Sequence, residues 1–220
     1  MGLLECACAS ALFRGIARDA VEDLLCRLNA AHRTVMRGEF VAHAGLEAGR
    51  IVAVVSGRLL VYGGVDGGTE TLMREICAGD AFGLVALNVP EMRRWPCSAI
   101  ASEDSETLSL GIKETRQVLA SGESAACRMS ANISSILAKE TLSAWRRLEV
   151  LGEPKLESRV MAYLSGLADG GEGEVAVPFD RELMASYLGV TRPALSRALG
   201  RLRDRGMVKW RKNLFRICGG

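Results

Sequence analysis

Histidine is nearly absent: the 220 residues hold only His32 and His43. Two imidazoles far apart in the expected topology argue against a metal enzyme, whose site usually draws on several histidines and a carboxylate. They also argue against haem, since His43 falls in a strand-and-turn context that suits a structural histidine. No CxxC occurs among the seven cysteines, Cys6, Cys8, Cys26, Cys77, Cys97, Cys127 and Cys218. An odd count at irregular spacing reads as reduced thiols, mostly packed as small hydrophobes. No uninterrupted apolar run approaches the ~18–20 residues that span a bilayer. The opening MGLLECACAS carries no positive charge ahead of an apolar core, so it does not read as a secretory signal. A cytoplasmic protein without a membrane segment is the expectation. Internal repeats and long low-complexity segments are missing as well.

What is present is globular: 49% of residues are hydrophobic and 25% charged. The net charge of +2 hides an asymmetry. Residues 179–220 hold ten Lys/Arg and three acids, leaving the rest of the chain net acidic. A local basic excess of this kind marks a phosphate-binding surface better than the overall balance does.

The basic excess lies on a patterned stretch, DRELMASYLGVTRPALSRALGRL, residues 180–202. It reads as two short helices joined at Gly189. Asp180 and Thr191 are the expected N-caps. Pro193 sits just inside the second helix, where its missing N–H costs nothing. Met184, Leu188, Val190, Leu195, Leu199 and Leu202 form the inward face. Arg192, Ser196, Arg197 and Arg201 are expected outward, as donors on a rod that fits a major groove. Residues 207–210 and 214–217 then read as two strands joined by a turn at Arg211-Lys212-Asn213. A helix-turn-helix followed by a basic hairpin is a winged helix.

FDRELMASYLGVTRPALSRALGRLRDRGMV resembles the DNA-binding region of the CRP/FNR family, the relatives of the cyclic-AMP receptor protein and of the fumarate–nitrate-reduction regulator. The resemblance implies double-stranded DNA as a partner, with Arg192 and Arg197 at the positions of the family's base-reading arginines. Thr191, Ser196, Arg201, Lys209, Arg211 and Lys212 complete the expected contact set. Many relatives carry a glutamate after the first arginine. This chain has Pro193 there, so one base contact is lost.

Upstream, residues 33–111 alternate short strand-like runs with glycine turns. The runs are 40–41, 51–55, 58–62 and 71–76; the turns include Ser56-Gly57, Asp66-Gly67-Gly68 and Ala78-Gly79-Asp80. This pattern suits an antiparallel sandwich or roll. A helix with Ile16, Val21, Leu24, Leu25 and Leu28 on one face precedes it. The order GEF…SGRLLVY…AGDAFG is similar to the β-roll of the cyclic-nucleotide-binding domain. In that family a Gly-Glu pair and a later Arg-Ser pair hold the cyclic phosphate and ribose. Their places fall here at Gly83-Leu84 and near Pro96-Cys97. The glutamate, arginine and serine are all missing, and a buried phosphate without a cation is costly. Cyclic nucleotide is therefore not the expected effector. Arg93 and Arg94 are nearby cations that a solvated loop explains. The effector pocket is expected at Phe82, Gly83, Leu84, Cys97, Ser98 and Met129.

The family's iron–sulfur relatives use three N-terminal cysteines and a later one. Only the Cys6/Cys8 pair is present here, and the later position falls near Thr107. A cluster needs four ligands in register, so it is not expected either. A thiol-redox or metal-responsive role for Cys6 and Cys8 stays open as an alternative, as does a nucleotide-binding scaffold that never touches DNA.

Residues 112–122 read as a short helix, and 123–151 as a long one with Met129, Ile133, Ile136, Leu137, Ala144, Leu148 and Leu151 along one stripe. A rod about 42 Å long exceeds what a small roll can cover, so a second copy is the expected partner of the remainder. Gly152-Glu153-Pro154 ends it. A helix at 155–168, a turn at 169–173 and a strand at 175–177 lead into the winged helix. The expected fold class is α+β: a sensor β-roll (1–122), a dimerisation helix (123–151) and a winged helix-turn-helix (152–220). The expected function is a homodimeric transcriptional regulator, not an enzyme, which meets RNA polymerase and answers to a small-molecule effector at the roll.

Overall fold

The computed structural model describes residues 2–63, 71–89, 91–168 and 173–218. The chain forms two compact units, Met1–Lys139 and Glu140–Gly220. The expected turns at Asp66-Gly67-Gly68 and at Asp169 through Glu172 lie outside the described residues.

The first unit opens with helix α1 (Leu3–Ala9), a 3-10 turn (Ala11–Phe13) and helix α2 (Arg18–Arg27). Eight strands follow: β1 (Ala31–Val35), β2 (Phe40–Ala42), β3 (Arg50–Ser56), β4 (Arg58–Gly63), β5 (Thr71–Cys77), β6 (Ala81–Phe82), β7 (Cys97–Ala101) and β8 (Ser105–Gly111). They make two antiparallel four-stranded sheets, β1-β8-β3-β6 and β2-β7-β4-β5. In register, Ile51 faces Leu110, Leu59 faces Ile76, and Leu60 faces Ile100. β3 and β4 carry consecutive buried residues, Ile51 to Val54 and Leu59 to Val61. Near-continuous apolar runs are what strands enclosed on both faces require. Only Gly57 separates β3 from β4, at φ +84°, and a Cβ there would come within 2.7 Å of the Asp104 carbonyl oxygen. Glycine is the residue that fits.

Helix α3 (Ile112–Ala120) leads to α4 (Ser124–Gly152), 29 residues and about 43 Å long. Ala126, Met129, Ile133 and Ile136 of α4 belong to the roll's core. The Asn132 side-chain amide donates to the carbonyls of Leu12 at 3.0 Å and Arg14 at 2.9 Å. Arg27 donates to both Glu123 carboxylate oxygens, at 2.7 and 3.0 Å. The division between units falls inside α4 rather than at Gly152, because its first half is spent on the roll.

The second unit holds the rest of α4 with α5 (Leu156–Leu167), β9 (Gly173–Ala176), α6 (Arg181–Tyr187), α7 (Arg192–Asp204), β10 (Val208–Arg211) and β11 (Leu214–Ile217). The strands form an antiparallel sheet in the order β10-β11-β9. Val160, Leu164, Val175, Phe179, Met184, Leu188, Leu195, Leu199, Leu202, Val208 and Phe215 are among its buried apolar residues. Arg147 of α4 lies 4.8 Å over the Tyr187 ring and donates to the Tyr187 carbonyl at 3.3 Å. Burial holds the Arg147 guanidinium below, and the Tyr187 hydroxyl above, their ordinary ranges.

Candidate nucleic-acid interface

Two caps build the helix pair. The Asp180 carboxylate accepts from the Leu183 N–H at 2.8 Å, and the Thr191 hydroxyl accepts from the Ala194 N–H at 3.4 Å. Gly189 makes the turn at φ +68°. Helix α7 then buries Leu195, Ala198, Leu199 and Leu202. At 3.6 residues per turn, Pro193, Ser196, Arg197 and Gly200 fall on the opposite side, with Arg192 and Arg201 at its two borders. Thr191, Arg192, Ser196, Arg197 and Arg201 are all exposed.

The two border arginines meet different fates. Arg192 lies 3.9 Å from Glu182 and keeps 62% of its side chain exposed. Arg201 is tied to Glu157 of α5 by a short ion pair. That hydrogen bond holds the Glu157 carboxyl below its ordinary range. Arg201 is thus exposed with its guanidinium already on an anion.

The wing is tighter than expected. Arg211 pairs with Leu214, so the turn is Lys212-Asn213 rather than three residues. Lys212 has φ +55°, and its carbonyl accepts from the Arg181 guanidinium at 3.0 Å. Arg181 also lies 4.5 Å over the Phe215 ring and 5.8 Å over Trp210, and burial lowers its pKa. The sequence reading gave Arg181 no role. It braces the tip that carries the exposed Lys209, Arg211 and Lys212. A cleft of about 480 Å³ between wing and helices is lined by Asp180, Arg181, Glu182, Arg192, Trp210, Lys212 and Asn213. Basic groups on a rigid tip beside a cationic helix face suit a nucleic-acid backbone and base edges.

The residues nominated for an effector pocket sit differently. Phe82, Leu84 and Met129 are core residues, fully or almost fully buried. Gly83 is left-handed at φ +89°. The Ser98 hydroxyl accepts from the Ala44 N–H at 3.0 Å, and Cys97 is half-buried. None of the six lines a cleft of about 590 Å³ between Gly15-Ile16-Ala17 and the start of α4.

Cys6 and Cys8 do not converge. Cys6 is buried, and burial together with Glu106 pushes its thiol up to about 11; Cys8 is exposed on the other side of α1. Thr107 is buried and donates to the Arg33 carbonyl at 2.9 Å. His32 is hydrogen-bonded to Glu106, and His43 stacks on Phe40 at 4.0 Å. Among the described residues, no cluster of three His, Cys, Asp or Glu could hold a metal ion, and no helix is long and apolar enough to cross a membrane.

Comparison with known proteins agrees with this architecture. The family model described as a Crp-like helix-turn-helix domain matches residues 158–218, and that of the cyclic nucleotide-binding domain matches residues 32–121. Electron transport regulator A of Shewanella oneidensis is 23% identical over 197 residues, covering 87% of this chain and 74% of that protein. The c-di-GMP responsive global regulator CLP of Xanthomonas campestris superposes with a TM-score of 0.74 at 19% identity, over 93% of this chain and all of that one. FixK2 of Bradyrhizobium japonicum gives 0.66 at 19% identity, over 86% and 93%. With both domains matched in order and the winged helix built as described, the chain belongs to the CRP/FNR family of transcriptional regulators.

Proposed function

We propose that two copies of the chain pair along α4 and set two α7 helices into successive major grooves of a near-palindromic operator. The observation that carries this reading is the open side of α7: Ser196 and Arg197 stand exposed opposite a fully buried apolar stripe, with Arg192 beside them. Arg192 and Arg197 read bases, as arginine does bidentately on guanine. Thr191, Lys209, Arg211 and Lys212 bind phosphates and make affinity salt-dependent. Arg201 joins them by exchanging Glu157 for a phosphate. Pro193 offers no acceptor to a cytosine amine, so the operator departs from the family's usual half-site.

Pairing is supported by the second half of α4, where Leu142, Trp145 and Leu148 are 47%, 62% and 66% exposed. Apolar residues at three-residue steps share one side of a helix, the arrangement of a coiled-coil seam. The roll is the regulatory half through which an effector acts, and RNA polymerase is the partner that turns occupancy into transcription. Gel-shift titration on operator DNA tests the reading. Arg192→Ala with Arg197→Ala should abolish specific binding while sedimentation still gives a dimer. Specific binding that survives the double change would contradict it.

A further inference from the structure

The place that the resemblance gives to the cyclic phosphate is filled by the protein itself. Trp95 is 7% exposed and lies in the roll's core. Its indole packs on Phe82 with ring centres 4.7 Å apart. It also lies directly over Gly83: a Cβ at that position would be 2.8 Å from Trp95 Cη2. Backbone hydrogen bonds hold the main chain that carries the ring. The Trp95 N–H donates to the Leu46 carbonyl at 2.9 Å, the Gly45 N–H donates to the Trp95 carbonyl at 2.8 Å, and the Ala48 N–H donates to the Arg93 carbonyl at 2.9 Å.

Three of the surrounding cations are committed to backbone oxygen, while Arg93 is exposed. Arg94 donates to the Gly45 carbonyl at 2.6 Å, on the outside of this segment. Arg74 donates to the Ala81 carbonyl at 3.2 Å. Arg116 donates to the Leu87 carbonyl at 2.8 Å and also to that of Ala86. The guanidiniums of Arg74 and Arg116 thus satisfy backbone oxygens of β6 and of the 3-10 turn that follows it (Leu84–Leu87). A phosphate brought over Gly83 would have to displace a large apolar ring and would meet Phe82 and Leu84 in place of a counter-charge. The residues present do not fit a cyclic nucleotide.

We infer that Trp95 is a built-in occupant of the roll, a planar heteroaromatic held where a ligand's ring system or phosphate would otherwise go, and that the roll does not take cyclic nucleotides. The inference does not rest on DNA binding, and neither readout below involves DNA. The chain has three tryptophans, Trp95, Trp145 and Trp210. A Trp145→Phe, Trp210→Phe chain reports Trp95 alone. Its emission should be blue-shifted, shielded from iodide and unchanged by millimolar cyclic AMP, cyclic GMP or cyclic di-GMP. A red shift, or saturable quenching by any of these nucleotides, overturns the inference. In the second arm, Trp95→Gly should lower the melting temperature by several degrees, and millimolar indole should restore most of the loss, with saturable binding by calorimetry. Indole should leave the unaltered chain unmoved. A folded Trp95→Gly chain that ignores indole also overturns the inference. Should that chain not fold, the single-tryptophan protein decides.

Discussion

Glu157 of α5 holds Arg201 of α7 in an ion pair, while Arg197, one turn earlier, stands on the open side of the same helix. One arginine is therefore shared with the scaffold and the other is held for a ligand. Arg197→Ala should lose sequence discrimination, of the order of 1–3 kcal/mol at one base step. Arg201→Ala should make the salt dependence shallower by about one counterion, because the phosphate that Arg201 takes in exchange for Glu157 is then lost. Filter binding across a salt series measures both. An unchanged slope in Arg201→Ala would mean that Arg201 stays off the DNA.

Helix α4 supplies the second prediction. Leu142→Glu with Leu148→Glu places charge on the exposed apolar side. Sedimentation velocity should then show a monomer whose circular dichroism remains helical, because Met129, Ile133 and Ile136 still anchor the helix to the roll. A dimer that persists would locate the interface elsewhere.

Thiol chemistry should follow burial. Exposed Cys8, Cys26 and Cys127 should react first with a chromogenic disulfide reagent. Cys6, buried and with its thiol pushed up to about 11, should react only on unfolding. Fast labelling of Cys6 in the folded protein, mapped by mass spectrometry, would contradict the packing of α1 on the roll.

Glu75 predicts a pH effect with a definite sign. Burial raises its carboxyl above the ordinary 4.5, although Arg58 beside it pulls the other way. A carboxyl whose folded pKa is raised binds its proton more tightly in the folded state. Its contribution is then most favourable below the unfolded value and declines as pH rises through the folded one. Relative to Glu75→Gln, the unaltered chain should lose stability across that rise. Melting curves from mildly acid to neutral pH check the direction.

The caps offer a test of the motif's construction. Asp180→Ala or Thr191→Ala removes an acceptor for one helix-start N–H. Each should cost about 1 kcal/mol, read as a lower denaturation midpoint in urea.

The winged helix was legible because its signals are local. Caps at Asp180 and Thr191, Gly189 at positive φ, and a basic pair of strands each sit within a few residues of what they specify. The roll was legible as a class but not strand by strand. β1, β6, β7 and β8 are not among the strand-like runs; β6 is only two residues long, and β8 mixes Ser105, Glu106, Thr107 and Ser109 with its leucines. Buried Ser105 and Thr107 are satisfied by the Glu103 and Arg33 carbonyls, which only the folded chain supplies. α1 is seven residues of nearly uniform small and apolar side chains, without a readable period. Trp95 was hidden inside a basic run, Arg93-Arg94-Trp95, that resembles a solvated loop. The structure sends Arg94 out to Gly45 and the indole in onto Phe82. The length of α4, and that the roll covers only part of it, were legible; the residue at which the two parts divide was not, because that depends on which surface each part finds.

Selection of DNA from a random pool, with the unaltered chain and with the Arg192→Ala, Arg197→Ala chain in parallel, tests the central claim most directly. The prediction is enrichment of inverted half-sites with centres one helical turn apart, about 34 Å, by the unaltered chain and none by the variant, which still dimerises. Enrichment of the same site by both chains, or of no site by either, would contradict it.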